Sequence, residues 1–342
     1  MKDQIDKVLA DVAATFNDRR LHVCNLRADV DEEGAVKIAG RVLEASYVEA
    51  IKQSLPPGVR VAGYDVQVLR EKTRTMTVAT NLTDLHVEPS FLSELLTQVT
   101  YCTQLEVLEE KDKWVFVRQA DGYLGWAYKP YLRDEPPLAP THIVASPLVT
   151  VHADTNLVPP AITRLLGGTL VRLVDEGDKL ARVEFAPGSA LPGGWVDSME
   201  LRPLDQIPMS AELARSWMIA DARAFRGTYY LWGGCSAFGI DCSGLAQLVH
   251  KLSGYTIPRD ADMQFAAGRP VEGRPENFRP GDLLFFSGEH NRRKISHVGI
   301  STRGWTMIHS SRFHNGVYED DVQQRPHLRD TFAGARTFLP AE

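Results

Sequence analysis

Three residues in the C-terminal third of the chain have the types and spacing for nucleophilic catalysis: Cys242, His297 and His309. Cys242 stands in Asp241-Cys242-Ser243-Gly244, and Leu245, Leu248, Val249 and Leu252 follow at the i, i+3, i+4, i+7 spacing of one apolar helix face. The spacing predicts a helix with the thiol in its first turn. Unpaired backbone N–H groups and the positive end of the helix dipole favour thiolate there. His297 lies in Ser296-His297-Val298-Gly299-Ile300 and His309 in Met307-Ile308-His309-Ser310-Ser311, both strand-like settings. A thiol on a helix facing imidazoles on a sheet suits acyl transfer: the base takes the thiol proton, sulfur attacks a carbonyl, and the imidazolium protonates the leaving amine. In this reading His297 is the base and His309 sets its tautomer through the other ring nitrogen. The Cys242 N–H and the Tyr230 hydroxyl are the oxyanion donors.

These residues need a scaffold, and 342 residues suggest two to four domains. A hydrophobic content of 44% and a charged content of 24% are ordinary for a soluble globular chain. A net charge of −6 provides no basic field for nucleic acid or an anionic membrane. No apolar run approaches the roughly 18 to 20 residues of a membrane span. The start, Met1-Lys2-Asp3-Gln4-Ile5-Asp6-Lys7, lacks the apolar core and cleavage site of a secretory signal, so a cytoplasmic location is expected. Four scattered cysteines (24, 102, 235, 242) suit reduced thiols rather than a disulfide scaffold or a zinc ribbon.

Periodicity divides the chain into four parts. Residues 1–72 read as a small α+β domain: a helical face of Ile5, Val8, Leu9, Val12 and Phe16, two alternating strands, a short helix near 44–54, and a strand from Val59 to Leu69. An internal repeat follows at a constant offset of 66 residues, with Thr103 falling on Thr169, Asp112 on Asp178 and Lys113 on Lys179. Each copy ends in a Gly-Trp pair, Gly125-Trp126 and Gly194-Trp195, with the tryptophans expected as core plugs. Residues 73–137 and 138–205 therefore read as two small β units joined by a proline-rich linker. Residues 206–342 begin with helices and end in strands, including Asp282 to Phe286, Val298 to Ser301, Thr306 to His309 and Thr337 to Leu339, an α+β domain. Asp282 reads as a turn brace, Cys235 as structural, and His290 and His314 as solvated loop residues.

Residues 210–342 resemble the NlpC family of papain-like cell-wall peptidases. The resemblance is carried by Tyr229-Tyr230-Leu231-Trp232-Gly233-Gly234, Asp241-Cys242-Ser243-Gly244, Pro258-Arg259-Asp260, Pro280 to Phe286, Ser296 to Ile300 and Ile308 to Ser311. The two repeats resemble bacterial SH3-like β-barrels. The resemblance implies a triad of Cys242, His297 and His309, no metal or cofactor, and cleavage of the amide between γ-D-glutamate and a diamino acid in peptidoglycan stem peptides. The full layout resembles recycling endopeptidases that require a free N-terminal L-Ala. It implies that Tyr123, Asp260, Trp232, Asp241, Ser243 and an acidic residue of the first SH3-like unit, Glu94 or Glu88, bind substrate. Ala261 departs from the serine usual after that aspartate. Asp241 beside a thiol is electrostatically unfavourable, so a substrate ammonium is expected to neutralise it. The alternatives are an N-acetylmuramoyl-L-alanine amidase, a hydrolase acting on intact wall, and a zinc site from Cys235, Cys242, His297 and His309, whose spacing is poor for metal.

Overall fold

The computed structural model describes residues 2–157, 160–177, 179–186, 193–288 and 291–341. Asp178 and His290 lie outside the described residues. Among those described, four sheets of three or more strands follow one another along the chain.

In the first unit, α1 (Lys2–Thr15) buries Ile5, Leu9 and Val12 against a three-stranded sheet. The strands β1 (Cys24–Val30) and β2 (Val36–Val42) pair antiparallel across a tight turn. Helix α2 (Ala45–Ser54) then crosses over, so β3 (Val61–Val68) returns parallel to β2.

The second unit is one seven-stranded antiparallel sheet, β4 (Arg74–Val78), β5 (Leu82–His86), β6 (Leu95–Thr100), β7 (Gln104–Lys111), β8 (Trp114–Arg118), β9 (Leu124–Tyr128) and β10 (Leu132–Arg133), in the order 10-4-7-8-9-5-6. The third repeats the plan with β11 (His142–Val144), β12 (Leu148–His152), β13 (Ala161–Leu166), β14 (Leu170–Glu176), β15 (Leu180–Glu184), β16 (Gly194–Asp197) and β17 (Leu201–Pro203). Strands β12, β13 and β15 begin and end 66 residues after β5, β6 and β8. The turn after β6 needs left-handed backbone in both copies, supplied by Cys102 at φ 68° and by Gly168 at φ 83°. Trp126 is 7% exposed, whereas Trp195 is only partly buried.

The last unit packs α3 (Ala211–Ala224), α4 (Cys242–Leu252) and α5 (Ala261–Ala267) on a six-stranded antiparallel sheet. A small hairpin, β18 (Cys235–Ser236) and β19 (Gly239–Ile240), precedes α4. The sheet comprises β20 (Arg269–Val271), β21 (Leu283–Gly288), β22 (Asn291–Arg303), β23 (Thr306–Ser311), β24 (Gly316–Asp321) and β25 (Phe332–Thr337). The expected strand over 337–339 is displaced: β25 ends at Thr337. Leu339 instead fills the helix core, and Phe338 meets the His250 ring edge-on at 5.9 Å. Helix α4 is buried almost throughout rather than along one stripe. The last sheet covers one side, and Gly168 of the third unit comes against Leu248 on another.

The units share cores. Val23, Val42, Leu43 and Tyr47 of the first pack with Leu108 and Leu124 of the second. Tyr101 of the second enters the core of the third. Arg202 of the third forms a buried ion pair with Asp221 of α3 at 3.1 Å. No helix among the described residues is long and apolar enough to cross a membrane.

Candidate active site

Cys242 is the first residue of α4, 8% exposed, with Asp241 as N-cap. The Asp241 carboxylate accepts the Gly244 N–H at 2.7 Å and, through its other oxygen, the Gly233 N–H at 2.9 Å. A side chain on Gly244 would run into the Gly234 carbonyl oxygen, so only glycine lets the upstream loop lie this close to the nucleophile.

On the sheet, His297 Nε2 and His309 Nδ1 are 2.7 Å apart, and His309 Nε2 is 3.1 Å from Asp320 Oδ2. Asp320 also holds His314 Nε2 at 2.8 Å and Arg325 Nε at 2.9 Å. His314 is therefore a partner of this chain of groups, not a solvated loop residue. Nε2 of His297 is committed to His309, which leaves Nδ1 for proton transfer. Val298 packs in the same core as Cys242 and its amide favours the thiolate, which brings the His297–Val298 step of β22 to the Cys242 end of α4.

Burial works against the thiolate expected at a helix start. Burial pushes the Cys242 thiol up to about 12, and Asp241 adds to the effect. Asp241 has taken the Gly244 amide of the first turn, so less of the helix dipole reaches the sulfur. Loss of water also lowers His297 well below the usual imidazole value. Burial thus favours the neutral form of both the thiol and the imidazole. Burial lowers His309 as well, while Asp320 pulls it upward. Burial would raise Asp320, yet its bonds from His309, Arg325 and His314 prevail and hold it below the carboxylate range. Burial and the proximity of Cys242 and Asp241 keep the Tyr230 phenol protonated, as an oxyanion donor must be.

The expectation that a substrate ammonium neutralises Asp241 is corrected. Arg259, 1% exposed, donates to both Asp241 oxygens, at 3.1 and 2.7 Å, and to the Ser243 hydroxyl at 2.9 Å. The side chains of Asp241 and Ser243 are thus engaged by Arg259 at the start of α4, where they brace the helix. Arg259 Nε reaches Thr97 Oγ1 of β6 at 2.9 Å, tying this brace to the second unit.

Around the brace, Trp232 is half-exposed and donates its indole N–H to Glu94 at 2.9 Å. Arg312 lies over the Tyr230 and Trp232 rings, at 5.5 and 5.3 Å from their centroids. Glu88 stands exposed in the turn before β6, its amide bonded to Ser93 Oγ; of the two acidic candidates, Glu94 is the one joined to Trp232. Tyr123, 2% exposed, donates its hydroxyl to Asp260 Oδ2 at 2.9 Å across the boundary between the second and last units. Asp260 also accepts from Arg20 of the first unit at 2.8 Å. Asp282 braces its turn, bonding Arg215 and the Arg279 amide.

Sequence reasoning missed Asp320, Arg312 and Arg20. Asp320 sits on the strand next to the histidine strand, where His309 pairs with Tyr318, a register that only the fold reveals. Arg20 left no signal in the sequence. Among the described residues no cluster of His, Cys, Asp and Glu could hold a metal ion, and the four candidate zinc ligands form none.

Residues 227–336 match the NlpC/P60 family, and residues 85–127 match the bacterial dipeptidyl-peptidase Sh3 domain. The chain is 30% identical over 227 residues to the gamma-D-glutamyl-L-lysine dipeptidyl-peptidase of Bacillus subtilis, covering 63% of this chain and 72% of that one. It is 29% identical to the protein of the same name from Bacillus cereus, covering 72% of this chain and 76% of that one. The crystal structure of an NlpC/P60 family protein from Bacillus cereus superposes with a TM-score of 0.66 at 22% identity, covering 78% of this chain and all of that one.

Proposed function

The chain belongs to the NlpC/P60 family and is a cysteine peptidase; on that premise we propose that it hydrolyses the γ-D-glutamyl–diamino acid amide of peptidoglycan-derived stem peptides, using Cys242 as nucleophile. The observation that carries this reading is the hydrogen-bonded line from His297 through His309 to Asp320, set on the sheet that faces the Cys242 end of α4. His297 Nδ1 takes the thiol proton as sulfur attacks the γ-carbonyl carbon. The oxyanion is held by the Cys242 amide and the Tyr230 hydroxyl. His297 returns the proton to the diamino acid nitrogen as the C–N bond breaks, leaving a thioester that water hydrolyses by the reverse proton path. His309 and Asp320 stabilise the imidazolium formed between the two steps.

We read Tyr123, Asp260, Trp232 and Glu94 as the substrate's amine-end contacts. The support is that the second unit supplies Tyr123, bonded to Asp260, and Glu94, bonded to Trp232, so that residues of that unit join both groups of the last unit. Short free-amine peptides of wall turnover fit this arrangement better than intact wall. Mass spectrometry of L-Ala-γ-D-Glu-diaminopimelate digests tests the reading. L-Ala-D-Glu is the expected product, absent with Cys242→Ala and much slower with Asp260→Ala. Release of free lactyl-bearing sugar from a muropeptide instead would establish the amidase.

A further inference from the structure

Arg20, in the first unit, is the residue at which three units meet. Its five N–H donors are all engaged. Nε and Nη2 reach Asp18 at 2.9 and 2.8 Å. Nη1 and Nη2 reach Asp262 at 2.8 and 2.9 Å, and Nη1 reaches Asp260 Oδ2 at 2.8 Å. The Arg20 carbonyl accepts the N–H of Leu124, the residue after Tyr123, at 2.8 Å. One residue therefore grips both members of the Tyr123–Asp260 pair, the tyrosine through its backbone neighbour and the aspartate through its carboxylate.

Asp260 is fixed on one side only. Oδ2 takes both the Tyr123 hydroxyl and Arg20, while Oδ1 accepts no hydrogen bond from a described residue. Asp260 is the N-cap of α5, yet its side chain bonds none of the helix amides. Its side chain is 24% exposed, so Asp260 is not sealed from solvent. Ala261, next to it, offers no hydroxyl that could orient the carboxylate.

We propose that Arg20 is a positioning residue for the substrate's free amine: the first unit holds Asp260 and Tyr123 so that Asp260 Oδ1 meets the ammonium. The proposal rests on the amine reading given under Proposed function. Arg20 does not cancel the attraction, because three carboxylates surround one guanidinium and the cluster keeps a net negative charge. Nor is it a plug that substrate displaces. An ammonium has three donors, and it would have to replace five charge-assisted bonds arranged around a planar fork.

The test compares the full-length wild type with Arg20→Met and Arg20→Lys on L-Ala-γ-D-Glu-diaminopimelate and on its N-acetylated form. With Arg20→Met, KM for the free-amine peptide is expected to rise about tenfold, more than kcat changes, and the preference for free amine over N-acetyl in kcat/KM to fall by a similar factor. Arg20→Lys keeps the charge without the fork and is expected to fall between the two. If Arg20→Met does not fold, Asp18→Asn weakens the anchor of the fork, and about a threefold loss of the same preference is expected. The proposal is overturned if the wild type prefers the free amine and folded variants keep that preference within about twofold. It is also overturned if kcat and KM worsen for both peptides together, which is the mark of a structural role. A wild type that cuts both peptides equally would sink the amine reading itself, before any variant is measured.

Discussion

At the scale of single residues, the site sets buried groups beside the partners that could make them reactive. Burial favours a neutral thiol at Cys242 and a neutral imidazole at His297, which fits the proposed transfer of the proton as the sulfur attacks. In the proposed mechanism the imidazolium is stabilised through His309 by Asp320, which is 5% exposed and tied down by Arg325 and His314. Asp320→Asn removes the charge that supports this relay while keeping its shape. A bond to a charged group contributes about 1.5 to 3 kcal/mol, so kcat/KM is expected to fall by roughly tenfold to a hundredfold with KM little changed. Steady-state kinetics on the tripeptide check it. No spacing rule pointed to Asp320, because the acidic run Glu319-Asp320-Asp321 reads as a solvated strand end. Its role appears only when β24 is seen paired with the histidine strand.

At the scale of elements, the nucleophile is placed by a helix start and an edge strand rather than by the helix alone. Strand β6 forms one edge of the second sheet and lies along β18, where Gln98 Oε1 accepts the Cys235 amide at 3.1 Å. Arg259 joins β6, through Thr97, to the Asp241 cap and Ser243 of α4. Gly233, at φ 76°, lets the upstream loop press on Leu95 of the same strand. Arg259→Met leaves the Asp241 charge buried without its partner. Breaking such a pair costs about 3 to 5 kcal/mol, and Arg259→Met/Asp241→Asn is expected to recover part of the loss. Urea unfolding of the two variants checks the order. The sequence already indicated this helix, its thiol and the histidine strands, because each depends on local periodicity. The brace lay beyond it, since 18 residues separate Asp241 from Arg259 and 162 separate Thr97 from Arg259.

At the scale of the whole molecule, four units behave as one body because their cores interlock and buried charges cross their boundaries. His250 makes this packing sensitive to acid. It is fully buried in α4, and burial lowers it from 6.5 to about 4. The unfolded chain therefore takes up a proton below about pH 6.5 that the folded chain refuses until about pH 4. Stability is complete above that window and falls as pH drops through it, by up to roughly 3 kcal/mol from this residue alone. His297, lowered for the same reason, adds to the trend. Thermal melts of the wild type should lose Tm steadily from pH 6.5 toward 4, and His250→Leu should flatten that dependence. Below that range the depressed carboxylates Asp18, Asp262 and Asp320 lose their own contribution as they protonate.

The amino-acid order by itself determined the helix that presents Cys242, the strands that carry His297 and His309, and the repeat of 66 residues, since these follow from side-chain periodicity over a few turns or strand pairs. Tertiary structure decided what surrounds them. It set Arg259 against Asp241, buried the thiol so that its neutral form is favoured, completed the histidine pair with Asp320, and brought Arg20 to Asp260 across 240 residues of chain. The physical reason is that charge pairing and desolvation depend on distances and water exclusion, which exist only once separate units have docked. Asp241 and Asp260 carry the same side chain. One caps a helix beneath the nucleophile, and the other keeps an oxygen open beside Tyr123, because their neighbours in space differ.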